Sequence, residues 1–552
     1  MTKSKTSRPM VRIIAVPTLS LEGRHPLAWN EYEAAEPIDK TVIVIGAGVA
    51  GVALAVNLAK RGICDFTVLE MSEGIGGTWW DNRYPGAEVD VTSELYSFSF
   101  APHVFTRTHA GQAEVQRYIE DVVAERGLAD HFTFGTKVEG VEWVDETSTY
   151  LVTAADGRRW RTRFLVSCVG QLNNPSFPTW PGMDRFTGEM FHTSRWDDAV
   201  SLAGKRVAVV GTGSTSAQVV PEIATIAEHV HLFQRQPGWV VPKDDRDYPE
   251  AERIKLARSS VRQRLRRLTA FQRLEAMRSV ARAGTKSNRR MQAIAEQYLI
   301  DAVPDDQLRA QLTPDYPFFG KRPVLTKYFY PALARDNVTL VPRPVTALTD
   351  SAVVDESGSM TDVDIIVLAT GFQPSRFLAT YEMSGRGGVL MRDTWDDEPR
   401  SFLGLMAEGF PNFFVTYGPN TNGGTLTFTL ERQAEWISDA IRSANRSRST
   451  VDVKSSAVDI VDRIVQRRNA DFVWSSTHNY YTSATGRVVT QWPFTQKFYW
   501  LLLKSLRPGV VCRRTAANWP KRQIRTTSHT GPSRAESDST NATSARTFVG
   551  RQ

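Results

Sequence analysis

The stretch Thr41–Glu70, TVIVIGAGVAGVALAVNLAKRGICDFTVLE, decides the fold. Its first five residues are all β-branched and read as a buried strand. VAGVALAVNLAKRG reads as a helix closed by Gly62, and FTVLE as a second strand. Between the first strand and the helix lies GAGVAG. Gly46 permits the tight turn, Gly48 lets backbone approach a pyrophosphate, and Gly51 lets helix pack on strand. The helix N-terminus then offers unpaired N–H groups to phosphate oxygens. Glu70 ends the second strand at the distance where an acid takes ribose hydroxyls. A glycine turn alone is weak evidence; set after a strand, before a helix and ahead of an acid-terminated strand, it predicts a dinucleotide site. The alternative is a glycine turn that holds no ligand.

Working outward, the same unit recurs at Arg206–Arg235. RVAVVGTGSTSAQVVPEIA is strand, glycine turn and helix, and HVHLFQR is the next strand. Gly211, Gly213 and Ser214 are candidates for a second cofactor site. Ser216 replaces the third glycine, and its bulk predicts a helix set slightly farther from its strand. Here Arg235 stands where the first unit has Glu70. A carboxylate would repel a ribose 2′-phosphate, whereas a guanidinium binds it in a bidentate manner, which favours NADP over NAD. The alternative for Arg235 is a surface charge at a strand end. Two such sites suggest a flavin and a nicotinamide that delivers hydride to it. Cys64, Cys168 and Cys512 form no C-x-x-C pair, so neither a metal cage nor a dithiol acceptor is expected. Dioxygen is then the obvious electron acceptor.

With 552 residues, the chain exceeds one hydrophobic core and should divide into domains. A composition 41% hydrophobic and 23% charged is that of a globular protein. The absence of a long apolar run predicts no transmembrane span, and three scattered cysteines suit the reducing cytoplasm. The first residues lack the apolar core of a signal peptide. A net charge of +7 raises the question of nucleic acid. Much of the excess lies at 253–290, where Ile254, Leu256, Val261, Leu265 and Leu268 recur at helical spacing among arginines. The simplest reading is a solvated helix face; a membrane surface or nucleic acid is the alternative. No aromatic interleaving supports base stacking.

Two further motifs carry a resemblance. FTGEMFHTSRWDD contains Phe186, Gly188, His192, Trp196 and Asp197, and GGTWWDNRYPGAEVD contains Gly77, Thr78, Trp79, Tyr84, Pro85, Gly86 and Asp90. Both resemble signatures of the type I Baeyer–Villiger monooxygenases, in their order around the glycine turns. QRQPGWVVP, YPFFGKRPV with Lys321–Arg322, LATGF, GFPNFFVTYGPNTN and GRVVTQWP extend the resemblance over roughly residues 40–507. It implies an α/β fold of two Rossmann-like dinucleotide-binding domains, a discontinuous FAD domain and an inserted NADP domain, with a helical elaboration. The expected division is an extension at 1–38, FAD domain at 39–175 and 365–510, NADP domain at 176–364, and a disordered tail at 511–552.

The resemblance further implies FAD and NADPH as cofactors, O₂ and a small-molecule ketone as substrates, and an ester or lactone as product by way of a flavin C4a-peroxide. Arg322 is then the catalytic cation and Asp90 its orienting carboxylate. Lys321 joins Arg235 and Gln236 at the 2′-phosphate. Gly77, Thr78, Trp79 and Tyr84 line the flavin side. His192 reads as a linker between domains in preference to a general base. Trp196 and Trp79 read as packing residues, and Trp492 as a wall of the substrate pocket. The competing readings are N- or S-oxygenation and a flavin-binding redox sensor without turnover. Oligomeric state is not legible.

Overall fold

A computed structural model describes residues 36–507 and 512–516. The opening stretch forms β1 (Ile38–Ile45), α1 (Val49–Lys60) and β2 (Phe66–Leu69), with β1 and β2 parallel. Helix α1 is buried from Val49 to Leu58 because it is apolar on nearly every side. One side meets the sheet and another the long helix Leu426–Ser447, all within one core. The short helices α2 (Thr78–Asp81) and α3 (Ser93–Tyr96) and the longer α4 (Gln112–Glu125) follow. Strands β3 (Phe132–Thr133), β4 (Val138–Val144), β5 (Thr149–Ala154) and β6 (Arg159–Ser167) extend the first sheet. Its order is Glu382–Ser384, β4, β5, β6, β1, β2, β3, with Phe413–Val415 also pairing β6. Segments far apart in sequence thus share one sheet.

The second domain opens with β7 (Glu189–His192), β8 (Arg206–Val210), α5 (Ser214–Ile223) and β9 (His229–Phe233). Its five-stranded parallel sheet has the order Val338–Val341, β9, β8, Ile365–Leu368, β7. Strand Ile365–Leu368 therefore lies inside the second sheet, between β8 and β7. This corrects the boundary expected at 365: the chain returns to the first domain only after Leu368. The glycine turn of LATGF marked the crossing, but the strand before it still belongs to the sheet it leaves. The two crossings run side by side. Ser176 N–H donates to Gly371 O at 2.8 Å, and Gln373 N–H to Asn174 O at 3.0 Å.

The Arg-rich region forms α6 (Glu250–Ala257), α7 (Ser260–Ala276) and α8 (Lys286–Ala302). The basic residues of α7 are divided: Arg262, Arg264 and Arg273 are exposed, as a solvated basic face requires, but Arg266 and Arg267 turn inward. Arg266 pairs with Glu94 at 2.5 Å and Glu252 at 2.7 Å, and Arg267 donates to the carbonyl of Glu94 at 2.9 Å. Val261, Leu265 and Leu268 face outward instead. The cause is the neighbour: α3 and its flank present carboxylate and carbonyl oxygens, which arginine satisfies and leucine does not.

The tail expected from 511 is corrected at its start. Cys512–Ala516 forms a strand antiparallel to Ser449–Val453. The partner strand is buried along its whole length, and besides the backbone ladder a Thr450–Thr515 hydroxyl pair and Cys512, buried in the first core, fix the new strand on it. Residues 1–35 of the expected extension and 517–552 of the tail lie outside the described residues.

Candidate active site

The first glycine turn is closed by contacts that tolerate no side chain. Gly46 has φ +103°, and a Cβ there would lie 2.8 Å from Cys168 O. A Cβ on Gly51 would lie 2.1 Å from Gly46 O, so helix and turn touch as the motif requires. Gly77 adopts φ +57° and brings the GGTW loop against the turn, its absent Cβ 2.8 Å from Gly48 Cα. Glu70 accepts N–H bonds from Ala47 at 2.7 Å and Ser72 at 2.8 Å, and burial raises its pKa. A cavity of about 1160 Å³ runs from this turn past Glu70, Thr78 and Trp79 to Asp90 and Arg322. Glycine backbone, helix N-terminus and acid thus line one continuous space, and the residues present fit a bound dinucleotide.

At the far end, Arg322 and Asp90 form a hydrogen-bonded ion pair with both side chains partly open to the cavity. Burial alone raises the Asp90 carboxyl, but the charge and hydrogen bond of Arg322 outweigh it and hold the group below its ordinary pKa. Asp90 in turn carries the guanidinium well above its usual value. Both groups stay charged across the physiological range.

Four tyrosines surround this pair. Tyr96 accepts from Trp79 Nε1 at 2.8 Å, Tyr417 Oη donates to Asn422 Oδ1 at 2.9 Å, and Tyr480 Oη reaches Tyr481 Oη at 3.4 Å. The loop bearing Tyr480 is fixed by Asn479, whose amide donates to Gly320 O at 2.9 Å and Trp474 O at 2.8 Å. Phe319, just before Gly320, holds φ +72°, a conformation costly for a bulky side chain. That strained turn aims Lys321 and Arg322 in different directions. Tyr96, Tyr417, Asn479 and Tyr480 were not singled out from sequence. YGPNTN hinted at Tyr417, whereas HNYY carries no motif.

The second turn is open. Gly211 has φ +112°, with a Cβ position 2.5 Å from Ala369 O, but nothing lies within 4 Å of one on Gly213. Ser216 is fully buried and its hydroxyl bonds Gly211 O at 2.5 Å, so the turn absorbs the serine by bonding it. Ser214 and Arg235 are exposed beside this turn. Thr212 Oγ1 bonds Gln236 O at 3.2 Å, and Lys321 Nζ donates to Gln236 Oε1. Burial and the nearby Arg235 guanidinium lower the Lys321 pKa. Two cations therefore share the edge of the second turn, as an anionic ligand requires.

Two expected site residues fall elsewhere, and a third combines packing with its place at the site. Tyr84 bonds Gln218 Oε1 of α5 at 2.9 Å and packs on the second core, away from the cavity lining. Trp492 is buried against Phe494 and Tyr499, which corrects its expected place on a substrate wall. Trp79 is buried, though it also lines the cavity. The FTGEMFHTSRWDD signature is a connector. His192 Nε2 bonds Gly371 O at 3.1 Å on the returning crossing, and its Nδ1 accepts from Ser194 N–H at 3.1 Å. Burial lowers its pKa to about 4, so the ring is neutral. Phe186 is fully buried, and Gly188 clears Asp364 O, which a Cβ would meet at 2.2 Å. Trp196 packs edge-on against Phe191, and Asp197 caps Ala199 N–H at 2.9 Å. Among the described residues no cluster of metal-ligating side chains occurs.

Comparison with known proteins agrees with this geometry. The flavin-binding monooxygenase-like family model matches residues 39–379. A Baeyer–Villiger monooxygenase of Streptomyces coelicolor is 37% identical over 82% of this chain and 89% of its own length. Another from Pseudomonas aeruginosa is 33% identical over 83% of this chain and 88% of its own. A closed crystal structure of cyclohexanone monooxygenase superposes with TM-score 0.80 at 28% identity, covering 87% of this chain and all of that one. An oxidised steroid monooxygenase bound to NADP gives 0.79 at 28% identity, with the same coverage. The chain belongs to the flavin-binding monooxygenase-like family and, within it, to the FAD- and NADPH-dependent Baeyer–Villiger monooxygenases.

Proposed function

We propose that this enzyme inserts one oxygen atom of O₂ beside the carbonyl of a small-molecule ketone, giving an ester or lactone. The observation that carries the reading is the Asp90–Arg322 pair, charged and open to the cavity that begins at the first glycine turn. When bound, FAD takes up electrons from NADPH and activates dioxygen. Gly46, Gly48, Gly51, Glu70, Gly77, Thr78 and Trp79 hold it along the cavity. Gly211, Gly213 and Ser214 present the second turn to NADPH, and Arg235, Gln236 and Lys321 hold its 2′-phosphate.

Arg322 has the catalytic task. As the ketone carbon is attacked, negative charge grows on the carbonyl oxygen, and a fixed guanidinium stabilises it without reorganising. One charge pair at about 4 Å and an effective dielectric of about 20 contributes about 4 kcal/mol, roughly a thousandfold in rate. Asp90 orients the guanidinium and offsets the cost of its burial. Tyr96, Tyr417 and Trp79 exclude water around the pair. Cys64 and Cys168, both free thiols, support a place in the reducing cytoplasm.

The test is turnover of FAD-loaded protein with NADPH, a ketone panel and ¹⁸O₂. One ¹⁸O atom in an ester or lactone is the expected result. Label found only on amines or sulfides, with every ketone untouched, would transfer the enzyme to N- or S-oxygenation.

A further inference from the structure

We propose that the outer face of α7 docks on an anionic lipid surface. Val261, Leu265 and Leu268 recur on one side of the helix and are 62%, 58% and 52% exposed. Exposed arginines border that stripe: Arg262 and Arg273 on one side, Arg264 on the other. Lys255 and Arg258 continue the charge along α6. From Arg253 to Met277 the sole carboxylate is Glu275, which accepts the Gln496 N–H at 3.2 Å. An apolar stripe between rows of cations is the pattern of a helix lying in a membrane interface.

The neighbouring helix Gln496–Ser505 widens the face. Its Lys497 Nζ bonds Gln272 on the outer side of α7 at 2.6 Å. Beside that contact Phe498 and Leu501 are also exposed. At the C-terminal end of α7 an open groove of about 470 Å³ is lined by Arg278, Arg282, Arg468, Phe494 and Phe498, but Glu275 lines it too and Asp471 pairs with Arg282 and Arg468, so the exposed stripe and its bordering arginines carry the contact. The inner side of α7 is fully committed to protein, because Arg266 and Arg267 are bound to Glu94, Glu252 and the Ser97 carbonyl. The outward leucines therefore do not belong to a core that the helix has failed to reach.

Charge decides among occupants. A second copy docked through the same face would set arginine against arginine. Nucleic acid would meet aliphatic side chains where bases need stacking partners. An anionic bilayer satisfies both the cations and the stripe. No helix among the described residues is long and apolar enough to span, so the contact is peripheral. Since α3 carries Tyr96 of the cavity, the docked helix lies one layer from the active site.

The experiment is co-sedimentation of the full-length FAD-loaded protein with vesicles of phosphatidylcholine alone or mixed with phosphatidylglycerol. Binding at least about tenfold tighter to the mixed vesicles, and weakening as salt is raised, is expected. The double variant L265E/L268E should lose that binding while keeping FAD content and ketone turnover in solution. R262Q/R264Q should flatten the salt dependence. Equal binding to both vesicle types, or undiminished binding by L265E/L268E, overturns the proposal. So does a dimer, or a complex with nucleic acid, that the same variant dissolves. Because turnover is read separately, failure here leaves the ketone reading intact, and the converse also holds.

Discussion

The two glycine turns share one local plan and differ in enclosure. In each, the first glycine lies under the carbonyl of a neighbouring strand end, Cys168 O for Gly46 and Ala369 O for Gly211. At the middle glycine they part. A Cβ on Gly48 would lie 3.6 Å from Gly77 Cα, whereas Gly213 faces open space. At the third position Gly51 has no room, while the second turn accepts Ser216 and bonds its hydroxyl. Glu70 is buried in the first unit, and Arg235, its counterpart, is exposed in the second. A closed cradle suits a cofactor that stays, and an open one suits a cofactor exchanged at every turnover. Motif alone assigns both turns to dinucleotides; only the surroundings separate resident from visitor.

The largest expected effect tests that division where the sites meet, at adjacent residues. Arg322→Ala should cut ketone oxygenation about a thousandfold while NADPH still bleaches the flavin anaerobically. Lys321→Ala should do the opposite, raising KM for NADPH about tenfold or more with little change in oxygen transfer per NADPH consumed. If Arg322→Ala slows flavin reduction as much as oxygenation, the two residues do not serve separate sites.

The next effect probes enclosure itself. Gly51→Ser places in the first turn the residue that the second turn holds. Its Cβ would sit 2.1 Å from Gly46 O and 3.1 Å from Gly46 C, and that backbone neighbour leaves nothing soft to yield. A stability loss of about 3 kcal/mol and poor FAD retention are expected. Ser216→Gly removes one hydrogen bond and should cost only about 1 kcal/mol. Calorimetry and flavin content report both. Equal losses in the two variants would mean that the turns are equally closed.

What the sequence revealed follows the range of the interactions. Gly46, Gly211, Glu70 and Arg235 were legible because each acts within one β-α-β unit, where spacing fixes geometry. Asp90 and Arg322 stand 232 residues apart, and only resemblance paired them. Tyr480 and Asn479 were invisible, since a loop near the C-terminus reaches Gly320 by a contact no local pattern encodes. Trp492 misled in the opposite direction: it was expected on a wall of the substrate pocket, yet Tyr499 on the next helix draws it into the core. The strand Cys512–Ala516 was missed because its partner, Ser449–Val453, lies some distance back in the chain, with Thr450 and Thr515 paired across 65 residues, and no local pattern encodes that pairing.

The connection between the two sites is open to titration. His192 is buried neutral at the crossing, with pKa about 4 against an ordinary 6.5. The unfolded chain therefore binds the proton first, and the stability contributed by the neutral ring is lost as pH falls from about 6.5 towards 4. The full difference amounts to about 3 kcal/mol. His192→Asn should flatten the acid limb of the stability curve by that share. It should not abolish the limb, since His109 is buried with its pKa also near 4. An unchanged acid limb would show that the ring is solvated and that the crossing is looser than its hydrogen bonds indicate.

The smallest effect belongs to the loop that joins the enclosed site to its substrate side. Of the four tyrosines around Arg322, Tyr96 and Tyr417 have short partners and Tyr481 is buried, while Tyr480 is 40% exposed with a 3.4 Å contact to Tyr481. Its hydroxyl is thus the one best able to turn to a ketone oxygen beside the guanidinium. A neutral hydrogen bond contributes about 1 kcal/mol, so Tyr480→Phe should lower kcat for the ketone about fivefold, with KM and the rate of flavin reduction little changed. Asn479→Ala releases the loop from Gly320 and should lower kcat as well, but it should also disturb the Lys321 side and raise KM for NADPH. If Tyr480→Phe instead shifts the NADPH constants, the loop serves the open turn, and the division between the two sites runs on the other side of Gly320.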